Sequence, residues 1–308
     1  MNFTKLHPSA FFLLLLTCFN GVVDGADNRG ADYAFLYLMT LSPDIAAANY
    51  VVSSDTDEDV DISILRVPFH VELMQDTDSR LQLEIALALQ QTEHIISTFS
   101  SSDEFIDSRW QTYGGGLGLL YEHNINQRLK FTPSVRLGLA RMENEADFNG
   151  VLTNKVKDFF DEDLNWKTNA SVFMLGLGLS YNWKLLDRAS SVKADVYHAV
   201  VDTFEKTDSA IDFTEHANML AVKADMVFPT DIVMHDERLD LVLLLGANNF
   251  FGENRNTLGY TTSYQAGVGA EIPLKWGGET NGYLRLSGQI IRASNMKGWM
   301  LGLGYSGI

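Results

Sequence analysis

An apolar residue recurs at every second position through segment after segment of this chain, and few folds accept that pattern over such lengths. Leu81, Leu83, Ile85, Leu87 and Leu89 alternate with Gln82, Glu84, Ala86, Ala88 and Gln90. Phe173–Trp183 and Trp299–Tyr305 repeat it, with Gly176, Gly178, Gly302 and Gly304 on the second face. Successive strand side chains point to opposite faces, so each segment has one apolar face and one polar or small face. The rule yields eleven strands, near 62–74, 80–90, 109–121, 128–141, 166–184, 191–201, 215–228, 238–247, 259–276, 282–292 and 297–307. Many exceed the five or six residues usual in soluble sheets. Alternating strands of about 9–11 residues or more, ended by aromatics, are what a tilted membrane-crossing strand needs. Tyr113, Tyr121, Tyr181, Trp183, Tyr260, Trp276, Trp299 and Tyr305, with Leu129 and Phe131, are expected to supply the girdles.

Connection lengths give a second signal. The links Gln75–Ser79, Glu122–Gln127, Leu185–Ser190 and Gly277–Asn281 are short. Gln91–Ser108, Met142–Asn165, Asp202–Thr214 and Asn248–Leu258 are long. Short periplasmic turns and longer external loops are the outer-membrane barrel pattern. Parity then requires one more ascending strand before residue 60. Asp44–Ser54 is the natural choice, with the acidic Ser54–Asp61 as its external loop. The expected fold is therefore all-β, a closed antiparallel transmembrane barrel of 12 strands over residues 44–308. An even number closes without edges.

The start of the chain reads differently. Lys5 is the only charge in Met1–Ala10, Phe11–Phe19 is apolar, and Val23 and Gly25 are small. That three-part layout is a secretory signal, expected over 1–25. Residues 26–43 follow, and Tyr33–Leu41 is apolar all round before Pro43. We read it as a short helix in or under the lumen, because Pro43 disfavours helix beyond Ser42. Cys18 is the single cysteine and falls within the signal, so disulfides do not hold the exported chain together. The net charge of -17 lacks the clustered Lys and Arg that phosphate backbones require, so nucleic acid is excluded as a partner.

Arg109–His123 (RWQTYGGGLGLLYEH), Arg128–Glu145 (RLKFTPSVRLGLARMENE) and the closing Gly298–Ile308 (GWMLGLGYSGI) carry a resemblance. Their strand texture and Gly-Leu runs are similar to autotransporter β-domains. With no passenger ahead of it, the chain resembles the solitary outer-membrane autotransporter-like barrels of Gram-negative bacteria. The resemblance spans nearly the whole exported chain. It implies a twelve-stranded barrel, often with a helix in the pore, surrounded by outer-membrane lipid and inserted by the barrel assembly machinery. The last strand ends in Ile308 where Phe or Trp is usual in such barrels.

Several constellations invite a functional reading. Gly114-Gly115-Gly116-Leu117-Gly118 looks like a phosphate loop, but no helix follows to present its amides, so room for large lumen side chains is the better reading. Inward positions are expected to hold Arg66, His70, Glu72, Glu84, Arg136, Lys223, Asp225, Glu271, Lys275, Arg285 and Arg292. Buried charges need partners, so a network that fills or lines the pore follows, with a selective channel as its functional counterpart. His94 and His216 near the rim, with Ser97, Ser100 and Asp103, are the only candidates for a hydrolytic site. They form no Ser/His/acid pattern by spacing. The run Asp55, Asp57, Glu58, Asp59 and Asp61 is rich in oxygen ligands but lacks the glycine and distal Glu of an EF-hand loop, so a solvated loop is expected. No cofactor or metal is expected. The overall expectation is a monomeric, non-enzymatic barrel with a structural or restricted-pore role. An adhesin or receptor using loops 91–108 and 142–165 is the main rival.

Overall fold

The computed structural model describes residues 45–307 except 54–58, 98–102, 152, 155–156, 158–163, 205–211, 235–236, 253–258 and 277–278. The signal (1–25), the N-terminal segment with its expected helix (26–43) and most of the acidic loop lie outside the described residues.

Twelve antiparallel strands close on themselves in chain order. They are β1 (Ile45–Ser53), β2 (Asp59–Gln75), β3 (Ser79–Ser97), β4 (Phe105–Asn124), β5 (Leu129–Asn149) and β6 (Trp166–Leu185), followed by β7 (Arg188–Phe204), β8 (Thr214–Met234), β9 (Glu237–Phe251), β10 (Thr262–Trp276), β11 (Glu279–Arg292) and β12 (Met296–Gly307). The ascending strand required by parity is β1, and it seals the barrel by pairing with both β2 and β12. This closing seam is short. Eight register pairs join β1 to β12, from Ile45↔Leu303 to Val52↔Met296, whereas nineteen join β3 to β4. At the seam Gly298 lies beneath the Tyr50 ring, where an added Cβ would stand 2.7 Å from the ring carbon Cδ1.

The outer face is apolar, as the alternation requires. Leu137, Leu139, Leu286 and Ile290 are 61–65% exposed, far more continuous apolar surface than a soluble monomer carries. Near the short turns Tyr121, Tyr181 and Tyr305 stand outward, with Trp183 on the same face of β6, stacked 6.2 Å from Tyr181. Arg128 Nη1 donates to the Tyr181 hydroxyl at 3.3 Å, tying the girdle to the β4–β5 turn. Tyr113 and Trp299 stand outward towards the loops. Trp276 ends β10, and its side chain lies outside the described residues. Tyr260 departs from the expectation: it is buried inside, 6.0 Å from Phe250. Strand β10 begins only at Thr262, and Gly259 turns the chain at a φ of 73°, so the outward parity of β10 does not reach back to Tyr260. The outward ring on this strand is Tyr264.

The links expected over 91–108 and 142–165 are partly strand. Gln91–Ser97 continues β3, Phe105–Ser108 opens β4 and Met142–Asn149 continues β5. Most of their outward positions are polar (Glu93, Asp107, Arg109, Glu143, Glu145) because these hairpins extend past the lipid-facing band. There no continuous apolar outer face marks the strand.

Candidate functional site

The lumen is the only part of such a barrel with a chemically distinct interior, and its side chains sort into two layers. Most inward charges lie on the side of the short turns, with Glu215 at the loop end of β8 an exception. Apolar side chains occupy the half nearer the loops.

The charged layer is built around two clusters, one of four side chains and one of three. On neighbouring strands, Glu84 of β3 faces His70 of β2 across one rung and Gly118 of β4 across the next. Glu84 is 3% exposed and accepts from three cationic or polar groups. Arg66 Nη2 donates to its Oε1 at 3.0 Å, Arg136 Nε to the same oxygen at 2.8 Å, and His70 Nε2 lies 3.3 Å from Oε2. Arg136 reaches it over Gly118, where an added Cβ would stand 2.8 Å from Arg136 Cγ. Arg136 Nη1 also donates to the Ser134 hydroxyl at 3.1 Å. Across the lumen Arg285 of β11 donates to Asp225 of β8 at 2.6 Å and, through Nε and Nη2, to Glu271 of β10 at 3.0 and 2.8 Å. Two carboxylates on one guanidinium, and two guanidiniums on one carboxylate, offset charge locally, as semi-buried charge demands.

The expected network is thus partly gathered. Arg66, His70, Glu84 and Arg136 meet, as do Asp225, Glu271 and Arg285. Glu72 instead pairs with Arg80 at 3.8 Å beside the β2–β3 turn, both half-exposed. Lys223 shares the inward face of β8 with Asp225. The Lys275 side chain lies outside the described residues. Arg292 is a correction. It lies seven positions after Arg285, and β11 pairs with β10 without interruption from Arg292 to Gly282, so an odd separation places it on the opposite, outer face. Two pairs were missed, Lys193–Asp195 at 2.9 Å on the inward face of β7, and Arg188 of β7 with the buried Asp240 of β9 at 2.5 Å. Alternation of Lys193 and Asp195 with Val192, Ala194 and Val196 carried the signal for the first pair.

The second layer was not foreseen as such. Tyr50, Ile62, Met142, Trp166, Met174, Val201, Met219 and Phe250 belong to one cluster of contacting, buried apolar side chains drawn from most of the strands. Trp110 packs on it and meets Trp166 edge-on at 5.6 Å. Below it, beside Arg66, a cavity of about 40 Å³ is lined by Ala86, Ala88, Gly114, Gly116 and Ala140, room for a few water molecules. The glycine run therefore spaces the lumen wall and sits inside β4, with no helix after it.

The candidate hydrolytic histidines do not converge. His94 is on β3 and pairs with Ser108, whereas His216 is on the outer face of β8, stacked 5.6 Å from His198. Among the described residues no group of three or more His, Cys, Asp and Glu side chains could hold a metal ion.

Comparison with known proteins agrees with this geometry. Residues 51–276 match the family model described as a solitary outer membrane autotransporter β-barrel domain. No curated protein matches the chain. Among solved structures, the β domain of the Bordetella autotransporter BrkA is similar with a TM-score of 0.54 at 12% identity, over 84% of this chain and 95% of that one. The translocator domain of NalP from Neisseria meningitidis gives 0.56 at 10% identity, over 90% and 94%. The transport unit of AIDA-I from Escherichia coli gives 0.51 at 11%, over 92% and 100%. At these identities the likeness is one of fold.

Proposed function

Because the chain belongs to the solitary outer membrane autotransporter β-barrel family, and is therefore an integral outer-membrane protein, we propose that it serves as a structural barrel or tightly restricted pore. The supporting observation is the layered lumen. A desolvated apolar layer is a barrier to ions, since dewetted constrictions gate conduction. The charge clusters beneath it are held together at hydrogen-bond distance, which favours a rigid wall over a lining free to bind solutes. We take the barrel to be without catalytic activity, because His94 and His216 lie on different strands and do not converge, and we take it to act as a monomer.

Planar-bilayer recording of the full chain tests this reading. The unmodified protein is expected to show no steady open-pore current. Tyr50→Ala combined with Phe250→Ala, which thins the apolar layer, is expected to produce one, provided heat-modifiable migration shows a closed barrel. A steady current from the unmodified barrel would overturn the proposal. Hydrolysis of lipid or peptide lost on His94→Ala or His216→Ala would overturn the non-enzymatic part.

The long β3–β4 and β5 extensions favour a second reading, attachment to an external partner. Removing residues 93–107 while retaining the barrel tests it: loss of cell-surface binding would support an adhesin, unchanged binding would discard it.

A further inference from the structure

Outward cations near the loop end of this barrel are mostly neutralised by neighbours. Arg109 pairs with Asp107 at 2.8 Å, and Arg141 and Lys167 both pair with Glu143. Arg292 and Lys297 stand apart. They are direct register partners across β11 and β12, both exposed, and make no ion pair or hydrogen bond with any described residue. Like charges placed opposite each other on one sheet face repel, so the arrangement favours a bound anion. In a chain of net charge -17 this pair is conspicuous.

Position narrows the anion. Tyr264 is the register partner of Arg292 on β10, and Trp299 follows Lys297 on the same face of β12. These rings are 63% and 48% exposed and mark the upper edge of the apolar band, with Ile290 below. The pair therefore sits at headgroup depth in the outer leaflet, where aromatic belts lie. Trp299 also walls an outward groove of about 500 Å³ across β1–β4, whose polar lining includes Asn49, Ser63 and Gln91. Asn49 Nδ2 donates to Ser63 Oγ at 3.1 Å there, so hydrogen-bonding groups face outwards beside the cations.

We propose that Arg292 and Lys297 bind the phosphate of an outer-leaflet lipid, with Trp299 against its acyl chain and the groove admitting polar headgroup substituents. Arg offers a planar fork to phosphate oxygens and Lys a point charge, the usual pairing for such groups.

The test uses the full chain reconstituted in phosphatidylcholine vesicles carrying either brominated phosphatidic acid or brominated phosphatidylcholine at equal mole fraction. The readout is quenching of Trp299 fluorescence, isolated by subtracting a Trp299→Phe protein. Two interfacial cations should enrich the acidic lipid at the site on the order of tenfold, seen as stronger quenching by the acid. R292Q/K297Q should abolish the preference, and Arg141→Gln should keep it. Heat-modifiable migration verifies that each variant is a closed barrel. Equal quenching by both lipids in the unmodified protein would overturn the proposal, as would a preference that survives R292Q/K297Q. A preference erased by inorganic phosphate at constant ionic strength would mean a free-anion site, which also overturns the lipid assignment.

Discussion

Glu84 is the residue on which the charged layer depends. Its two oxygens serve Arg66, Arg136 and His70, and its side chain is 4% exposed. Removing one partner from such a cluster leaves uncompensated buried charge and costs about 3–5 kcal/mol. Glu84→Ala should therefore lower the urea midpoint of the refolded barrel strongly, with Glu84→Gln intermediate because an amide still accepts hydrogen bonds. Equal stability of Glu84→Ala and the parent would show that the cluster does not stabilise the fold. Gly118 matters for the same cluster. A methyl there stands 2.8 Å from Arg136 Cγ and 3.4 Å from Glu84 Cβ, a clash near the base of both side chains. Gly118→Ala should cost about 1–3 kcal/mol by overpacking. In the Glu84→Ala background its cost should shrink, since Arg136 is then free to move aside. Additive costs in a double-mutant cycle would contradict that coupling.

The β6–β7 hairpin carries the sharpest local strain. Leu186 and Asp187 form its two-residue turn with φ values of 49° and 64°, and Leu185 pairs with Arg188 across it. Such a turn needs left-handed backbone at both positions and is usually Asn-Gly. Each unsuited residue costs about 1 kcal/mol. Leu186→Asn with Asp187→Gly should thus raise the denaturant midpoint without altering heat-modifiable migration; an unchanged or lower midpoint would refute the strain argument. Elements were legible in the sequence to the extent that lipid touches them. Leu81–Leu89 and Phe173–Trp183 announced β3 and β6 because one face of each meets hydrocarbon. Where β3, β4 and β5 rise above the band, the outer face turns mostly polar and the same strands read as loop, as at Gln91–Ser97 and Met142–Asn149. Parity also failed at its ends: counted through regular strand it assigns Lys193 and Asp195 inward correctly, but it says nothing of Tyr260, which precedes the strand. The apolar lumen layer was hidden for a different reason. Alternation contrasts two faces, and Ile64, Val172 and Met174 each lie beside an outward residue that is apolar too (Leu65, Phe173, Leu175).

At the scale of the whole molecule, twelve strands leave one place where the two ends of the described chain must be fastened, between β1 and β12. Gly298 lets the Tyr50 ring settle across that seam, so Gly298→Ala drives a methyl against the ring and the Asn49 carbonyl. Limited proteolysis should then nick residues 45–53 faster. Gly288→Ala, whose methyl would meet only Leu301 Cδ2 at 3.7 Å, serves as the control. Equal nicking of both variants would mean that the ring contact does not secure the seam.

The short seam has a mechanical consequence. A closed ring under lateral stretch carries the same hoop tension at every joint, so the joint with the fewest rungs parts first. Eight rungs hold β1 to β12 and eight hold it to β2, where nineteen hold β3 to β4. A bilayer that strains this barrel outwards would open it beside β1, along one flank of that strand or the other, turning a cylinder into a curved sheet with β1 at a new edge.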